Sequence, residues 1–211
     1  MQLCEVDAPI RLAGRTLRET RHVCAFFHSK DEQNKLLMPF FKEGIDRGEK
    51  IFQIVDGRRR QEHLCDCQAW GIDTAAAEAS GQLEVRAWEE AYLQDGYFDG
   101  DRMIGLIEDT IKENRSKYGL TRFMGNMEWA LEAVPGVRKL VEYEARINYL
   151  SPNYPDPIVC VYNLNSKHSG RVVMDILRTH PMVIIGGVLQ ENPFYVPPDE
   201  FLRELNQRKQ R

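Results

Sequence analysis

The stretch from Arg21 to Gly57, RHVCAFFHSKDEQNKLLMPFFKEGIDRGEKIFQIVDG, constrains the fold more than any other part of the chain. His22 to Phe27 is apolar and β-prone. Lys50 to Asp56 carries Ile51, Phe52, Ile54 and Val55 in the near-continuous run expected of a strand buried on both faces. Between them, Ser29 with Glu32 three residues on is a capping-box signal for a helix over 30–47. Its inner side holds Leu36, Leu37, Phe40, Phe41 and Ile45. Pro39 removes one backbone donor within it and predicts a kink, and Gly48 ends it. A strand, a loop that opens a helix, and a second strand form the first unit of an α/β domain of the nucleotide-handling type.

The remainder repeats the alternation. Short helices over 58–70 and 73–79, split by Gly71, lead to a third strand over 82–87. A loop with Tyr92, Tyr97 and Phe98 precedes an amphipathic helix over 99–118, with Met103, Ile104, Ile107 and Ile111 on one stripe. A fourth strand over 121–127, a helix over 136–150, a fifth strand over 158–162, a helix over 169–179 and a sixth strand over 182–185 follow. The tail holds a turn at 191–195 and a helix from Pro198. Crossovers long enough for helices predict a mainly parallel central sheet covered on both faces, a three-layer α/β/α fold. At 211 residues and 43% hydrophobic content the chain buries one sizeable core, so 21–211 is read as one domain and 1–20, broken by Pro9 and Gly14, as an arm lying on it.

A net charge of −4, with dense basic runs only at Arg58-Arg59-Arg60 and in the tail at Arg208, Lys209 and Arg211, argues against direct nucleic-acid binding. No apolar run of membrane-spanning length and no signal peptide are seen, which predicts a cytoplasmic protein without a membrane partner. Five cysteines without a dense pairing pattern fit reduced thiols.

In a P-loop protein the loop after the first strand carries glycines, so that amides can approach phosphate, then a Lys and a Ser or Thr. Here it reads His28-Ser29-Lys30-Asp31-Glu32-Gln33-Asn34-Lys35. It holds no glycine and no Walker A motif, and two adjacent carboxylates sit at the positive helix end where an anion would dock. ATP hydrolysis is disfavoured, and a nucleotide binder or degenerate NTPase using Lys30 or Lys35 with Glu128 is the second reading. A pocket above the sheet survives loss of the phosphate cradle, because open α/β sheets bind ligands beyond the carboxyl ends of their strands.

Several residues stand out as candidates. Glu144 falls on the inner stripe of helix 136–150 beside Leu140, Val141 and Ile147. A carboxylate there must be paired, for which Arg122 and Arg178 are the expected partners, or it lines a ligand cavity. Glu128 and Trp129 follow the fourth strand, where a carboxylate and a flat indole can orient a ligand, or where they simply begin a helix and fill the core. His22 and Cys24 alternate on one strand and share a face. His63, Cys65 and Cys67 make a second cluster. Neither group has the paired spacing of a zinc site, so buried thiols and a hydrogen-bonded histidine are expected and no metal ligand is assigned. His180, before Pro181, is read as packing at a helix end. No G-x-S-x-G elbow or H-E-x-x-H helix is found, and neither catalytic residues nor a cofactor are assigned.

Read together, these segments resemble the MEDS domain, the sensory domain of methanogens and methylotrophs named for the DcmR regulator. The resemblance is carried by His22–Phe27, Gly48-Glu49, GNMEWAL at 125–131, EYEARIN at 142–148, RTHP at 178–181 and ENPFYVPP at 191–198, and it covers about residues 20 to 202. It implies a RecA-like layout, similar to circadian-clock type ATPases with the phosphate loop eroded. It further implies sensing of a small molecule, with simple hydrocarbon derivatives proposed for the family, beside a DNA-binding, kinase or other signalling module. No appended output domain is expected within these 211 residues, so a signal would pass to a protein partner, and assembly with a second copy is compatible with this reading. The ligand is expected at the carboxyl edge of the sheet, oriented by Glu128, Trp129, Tyr143 and Glu144 together with His22 and Cys24, with the kinked helix after residue 29 as the expected moving part.

Overall fold

The computed structural model describes residues 9–18, 21–131, 139–165 and 170–209. A hairpin, β1 (Ile10–Leu12) and β2 (Arg15–Leu17), stands where the arm was expected, turned at Ala13 and Gly14, which both have positive φ. Two such residues make the two-residue turn whose twist suits a hairpin.

Seven strands form the main sheet: β3 (His22–Phe27), β4 (Lys50–Val55), β5 (Leu83–Ala87), β6 (Thr121–Asn126), β7 (Ile158–Asn163), β8 (Met182–Ile185) and β9 (Val188–Glu191). Their order is β5-β4-β6-β7-β3-β8-β9, parallel throughout except for the last pair. The sixfold alternation read from the sequence is present, and β9 is an addition to it. Only Leu189 of β9 is buried, so the strand carries almost no apolar signal, while Gly186 and Gly187, both at positive φ, turn the chain back beside β8.

Along β3 and β7 alternate residues serve opposite faces. Val23, Ala25 and Phe27 with Val159 and Val161 meet α1 (Lys30–Asp46), α2 (Arg60–Ala69) and α3 (Thr74–Ser80). Cys24, Phe26, Cys160 and Tyr162 meet α4 (Gly100–Tyr118), α5 (Leu140–Ile147) and α6 (Gly170–Thr179). α1 is a single helix through Pro39, and α7 (Pro198–Lys209) closes the chain. The predicted helix over 136–150 is seen as α5, with residues 136–138 outside the described residues. Among the described residues no helix is long and apolar enough to cross a membrane.

Arg122 is wholly buried near the start of β6 and points to the α1 face. Its Nη1 donates to the Phe40 carbonyl at 2.6 Å and to Glu43 Oε2 at 3.0 Å, Nε donates to Glu49, and the guanidinium lies 4.7 Å from the Phe40 ring centre. This network locks α1 to the sheet, and it needs Gly44. A Cβ there would stand 2.6 Å from Ile51 Cδ1 and 2.9 Å from Arg122 Cδ and Nε. Gly44→Ala gains up to about 1 kcal/mol of helix propensity, against about 1–3 kcal/mol for overpacking a filled core. Because Arg122 is pinned by two carboxylates and cannot retreat, the clash wins. A net loss of about 1–2 kcal/mol in urea unfolding is the expected outcome.

Candidate functional site

Two polar features stand out, and they lie apart. The first is a cleft of about 60 Å³ at the carboxyl ends of β3, β4, β6 and β7, bounded by Ser29, Lys30, Gln33, Asp56, His63, Asn126, Glu128 and Asn163. That volume exceeds the 10–15 Å³ or so a single water needs and suits a molecule of a few heavy atoms. The loop at its rim is closed upon itself. Ser29 Oγ accepts from the Glu32 amide at 3.1 Å, which is one half of the predicted capping box, while the Glu32 carboxylate reaches past the cap to accept from the His28 amide at 2.8 Å. Lys30 is held by Glu62 at 2.7 Å and Asp66 at 2.8 Å, and Lys35 is exposed. Of the donors that could meet a phosphate, the Lys30 ammonium and the His28 and Glu32 amides are therefore engaged within the protein.

Glu128 enters the cleft from the turn after β6, where Asn126 Oδ1 accepts from its amide at 3.0 Å. On the opposite wall His63 Nε2 lies 2.7 Å from Gln53 Oε1. Burial, helped by the charge of Lys30, lowers the His63 imidazole from 6.5 to about 4, so it is neutral at physiological pH. Cys67 Sγ is 3.9 Å from His63 Nε2 and buried, and burial pushes its thiol up to about 12. Cys65 is exposed, so HLCDC does not converge on one point.

The second feature is a wholly buried cluster on the α5 face, centred on Glu144. Tyr162 donates its hydroxyl to Glu144 Oε1 at 2.8 Å. Around Oε2 stand Cys160 Sγ at 3.4 Å, His22 Nε2 at 3.3 Å and His180 Nε2 at 3.3 Å. The groups come from four places in the fold: His22 opens β3, Cys160 and Tyr162 share one face of β7, Glu144 is on α5, and His180 follows α6. The donor atoms of His22, Glu144, Cys160 and His180 all lie within 4.8 Å of one another, a set able to hold a metal ion. Burial works to raise the Glu144 carboxyl, but His180 and His22 beside it hold it below the usual carboxylate range. Burial, then the neighbouring His180, lowers the His22 imidazole to about 4. Burial and the carboxylate raise the Cys160 thiol and the Tyr162 phenol, so both keep their protons and donate toward Glu144.

The expected arginine pairing of Glu144 is thus corrected. Arg122 faces the opposite side of the sheet from α5, and Arg178 pairs outward with Glu204 of α7 at 2.8 Å. The six residues combined by sequence also separate. Glu128 alone lines the cleft, and His22 and Glu144 sit in the buried cluster. Trp129, wholly buried, stacks at 5.0 Å on Tyr92 and packs at 4.8 Å against Phe98, which meets Tyr143 edge-on at 5.4 Å. Cys24 is buried beneath them, its thiol 3.7 Å from the Met182 carbonyl. His180, Cys160 and Tyr162 were missed as partners of Glu144. The one available signal was parity, since residues 158, 160 and 162 take the same face as 22, 24 and 26 once β3 and β7 pair in register.

Residues 21–181 match the family described as MEDS, the MEthanogen/methylotroph, DcmR Sensory domain. The chain belongs to this family. A curated relative, the transcriptional repressor DcmR of Methylorubrum extorquens, is 25% identical over 175 residues, 82% of this chain. The match spans 63% of that repressor's length. Among solved structures, a KaiC-like protein from Pyrococcus horikoshii superposes with a TM-score of 0.54 at 15% identity, covering 77% of this chain and 69% of that one. The MEDS domain thus has a RecA-like architecture, a mainly parallel sheet between two helical layers.

His63 makes acid stability testable. Its folded pKa lies below the unfolded value, so the unfolded chain takes up the proton first. The stabilisation is complete above about pH 6.5 and is lost as pH falls toward 4, on the order of 2–3 kcal/mol from this group. Urea unfolding from pH 7 to 4 should show a shallower decline in His63→Gln than in the unaltered protein, His22 being common to both.

Proposed function

We propose that this MEDS domain is a ligand sensor that binds a small, weakly charged molecule in the cleft at the carboxyl ends of β3, β4, β6 and β7, and passes the signal to a protein partner. The observation that carries this reading is a small cleft at the position where open α/β sheets bind ligands, with its phosphate-binding loop occupied by its own helix cap and by the Lys30 ion pairs. Kinship with a transcriptional repressor supports a regulatory output.

Glu128 and Asn163 offer polar contacts across the cleft, and Phe27 and Val55 offer apolar ones. A one- or two-carbon hydrocarbon derivative with one polar group matches that lining. Binding shifts the domain only if the ligand favours one of two arrangements. The start of α1 borders the cleft through Ser29, Lys30 and Gln33, so a change in Lys30's pairing with α2 is the natural means of transmitting occupancy.

Screening small hydrocarbon derivatives by thermal denaturation tests this. A ligand at a hundred times its Kd stabilises by about 2.7 kcal/mol, which for a chain of this size raises Tm by roughly 5–10 °C. Gln33→Phe, which fills the cleft from the half-buried face of α1, should abolish that rise while leaving the unliganded Tm in place. Binding that survives Gln33→Phe would remove the cleft from the proposal. Tight magnesium-ATP binding lost in Lys30→Ala would replace the sensor reading with a nucleotide-binding one.

A further inference from the structure

We propose that the buried cluster is a four-coordinate site for a zinc-type divalent cation, with His22 Nε2, His180 Nε2, Glu144 Oε2 and the Cys160 sulfur as ligands. The proposal is independent of what occupies the cleft.

Spacing is the first argument. A zinc ion with nitrogen and oxygen ligands at about 2.0–2.2 Å and sulfur at about 2.3 Å, arranged tetrahedrally, separates its N and O donors by roughly 3.3–3.4 Å and its S donor from either by roughly 3.5–3.6 Å. Both Nε2 atoms stand 3.3 Å from Glu144 Oε2. Cys160 Sγ is 3.6 Å from His22 Nε2 and 3.4 Å from Glu144 Oε2. Four of the six edges of the tetrahedron thus agree with the ion within about 0.2 Å, and the two remaining edges, from His180 Nε2 to His22 Nε2 and to Cys160 Sγ, fall within 4.8 Å.

The outer hydrogen bonds supply the second argument. His22 Nδ1 lies 3.2 Å from Asn148 Oδ1, and the Asn148 amide nitrogen donates to the Thr179 carbonyl at 2.8 Å, which turns the amide oxygen toward the ring. His180 Nδ1 is 2.8 Å from the Ile176 carbonyl. Both Nδ1 atoms therefore carry the ring proton, and both Nε2 lone pairs point inward. Metal-ligating histidines are oriented in this way by outer partners. Glu144 follows suit, its Oε1 engaged by Tyr162 and its Oε2 facing the histidines.

Third, His180 Nε2 is buried without a hydrogen-bond partner, although it stands 3.3 Å from Glu144 Oε2. A proton added to one ring satisfies that ring and leaves the other lone pair facing oxygen and sulfur in a dry core. A dication satisfies all four donors at once. With thiolate and carboxylate each contributing one negative charge and both imidazoles neutral, the loaded site has no net charge, the condition a water-free interior favours. On loading, a sulfur–zinc bond forms and the Cys160 S–H proton leaves for solvent. Four protein ligands leave no open position, so the ion is structural: it clasps β3, β7, α5 and the α6–β8 junction. Because all four ligands are almost completely buried, loading accompanies folding.

The test uses the whole chain, refolded with zinc, desalted and analysed for metal, then reconstituted with cobalt(II). One zinc per chain is expected, with a cobalt form showing thiolate-to-cobalt charge transfer and the intense visible bands of tetrahedral geometry. Cys160→Ser should lose the charge-transfer band, and the double variant Cys65→Ser/Cys67→Ser should retain it. Should Cys160→Ser fail to fold, the unaltered protein still decides. Folded chain holding less than about a tenth of an ion, a cobalt spectrum without a thiolate band, or loss of metal in the Cys65/Cys67 variant would each overturn the proposal.

Discussion

A carboxylate sealed from water organises one whole face of this sheet. Removing a charge from solvent costs several kcal/mol after all relaxation, and Glu144 offsets part of that cost by accepting from the Tyr162 phenol and the Cys160 thiol, while the His22 and His180 imidazoles stand 3.3 Å from its Oε2. The partners cannot be rearranged independently. His22 is held by Asn148, which also ties α5 to the end of α6, and His180 is held by its own helix through the Ile176 carbonyl. The packing of α5 and α6 over β3 and β7 is thus fixed in polar detail as well as by the apolar contacts of Ile147, Ile176 and Phe26.

The opposite face has its own polar anchor in Arg122, gripped by Glu43, Glu49 and the Phe40 carbonyl. Away from these two buried anchors, polar side chains line a cleft at the carboxyl edge of the sheet. There the first loop has turned inward, Ser29 Oγ accepting from the Glu32 amide and the Glu32 carboxylate accepting from the His28 amide. The cleft at this edge is bordered by the start of α1 through Ser29, Lys30 and Gln33.

Much of this was legible in the chain. Apolar runs at 22–27, 50–56, 121–127 and 158–162 became central strands, and the spacing of Ser29 and Glu32 located the start of α1 correctly. Glu144 was recognisable as an anomaly because a carboxylate interrupted an apolar stripe. Its partners were misjudged: arginine is the default companion of a buried carboxylate, but Arg122 lies across the sheet and Arg178 points away from it. Trp129 and Glu128, neighbours in sequence, diverge because the short 3₁₀ turn over 128–131 sends one into the aromatic core and the other into the cleft.

Periodicity is a local property, so the sequence by itself determined the α/β alternation, the capped start of α1 and the loss of a glycine-rich phosphate loop. Convergence is not local. The strand order β6-β7-β3-β8, set by long parallel crossovers, decided that His22, Glu144, Cys160 and His180 would meet. Only the register of β3 on β7 put Cys160 on the face that α5 covers. Each of these residues, read where it stands in the chain, is an ordinary buried side chain. Their chemistry arises from being within a few ångströms of one another where water cannot enter.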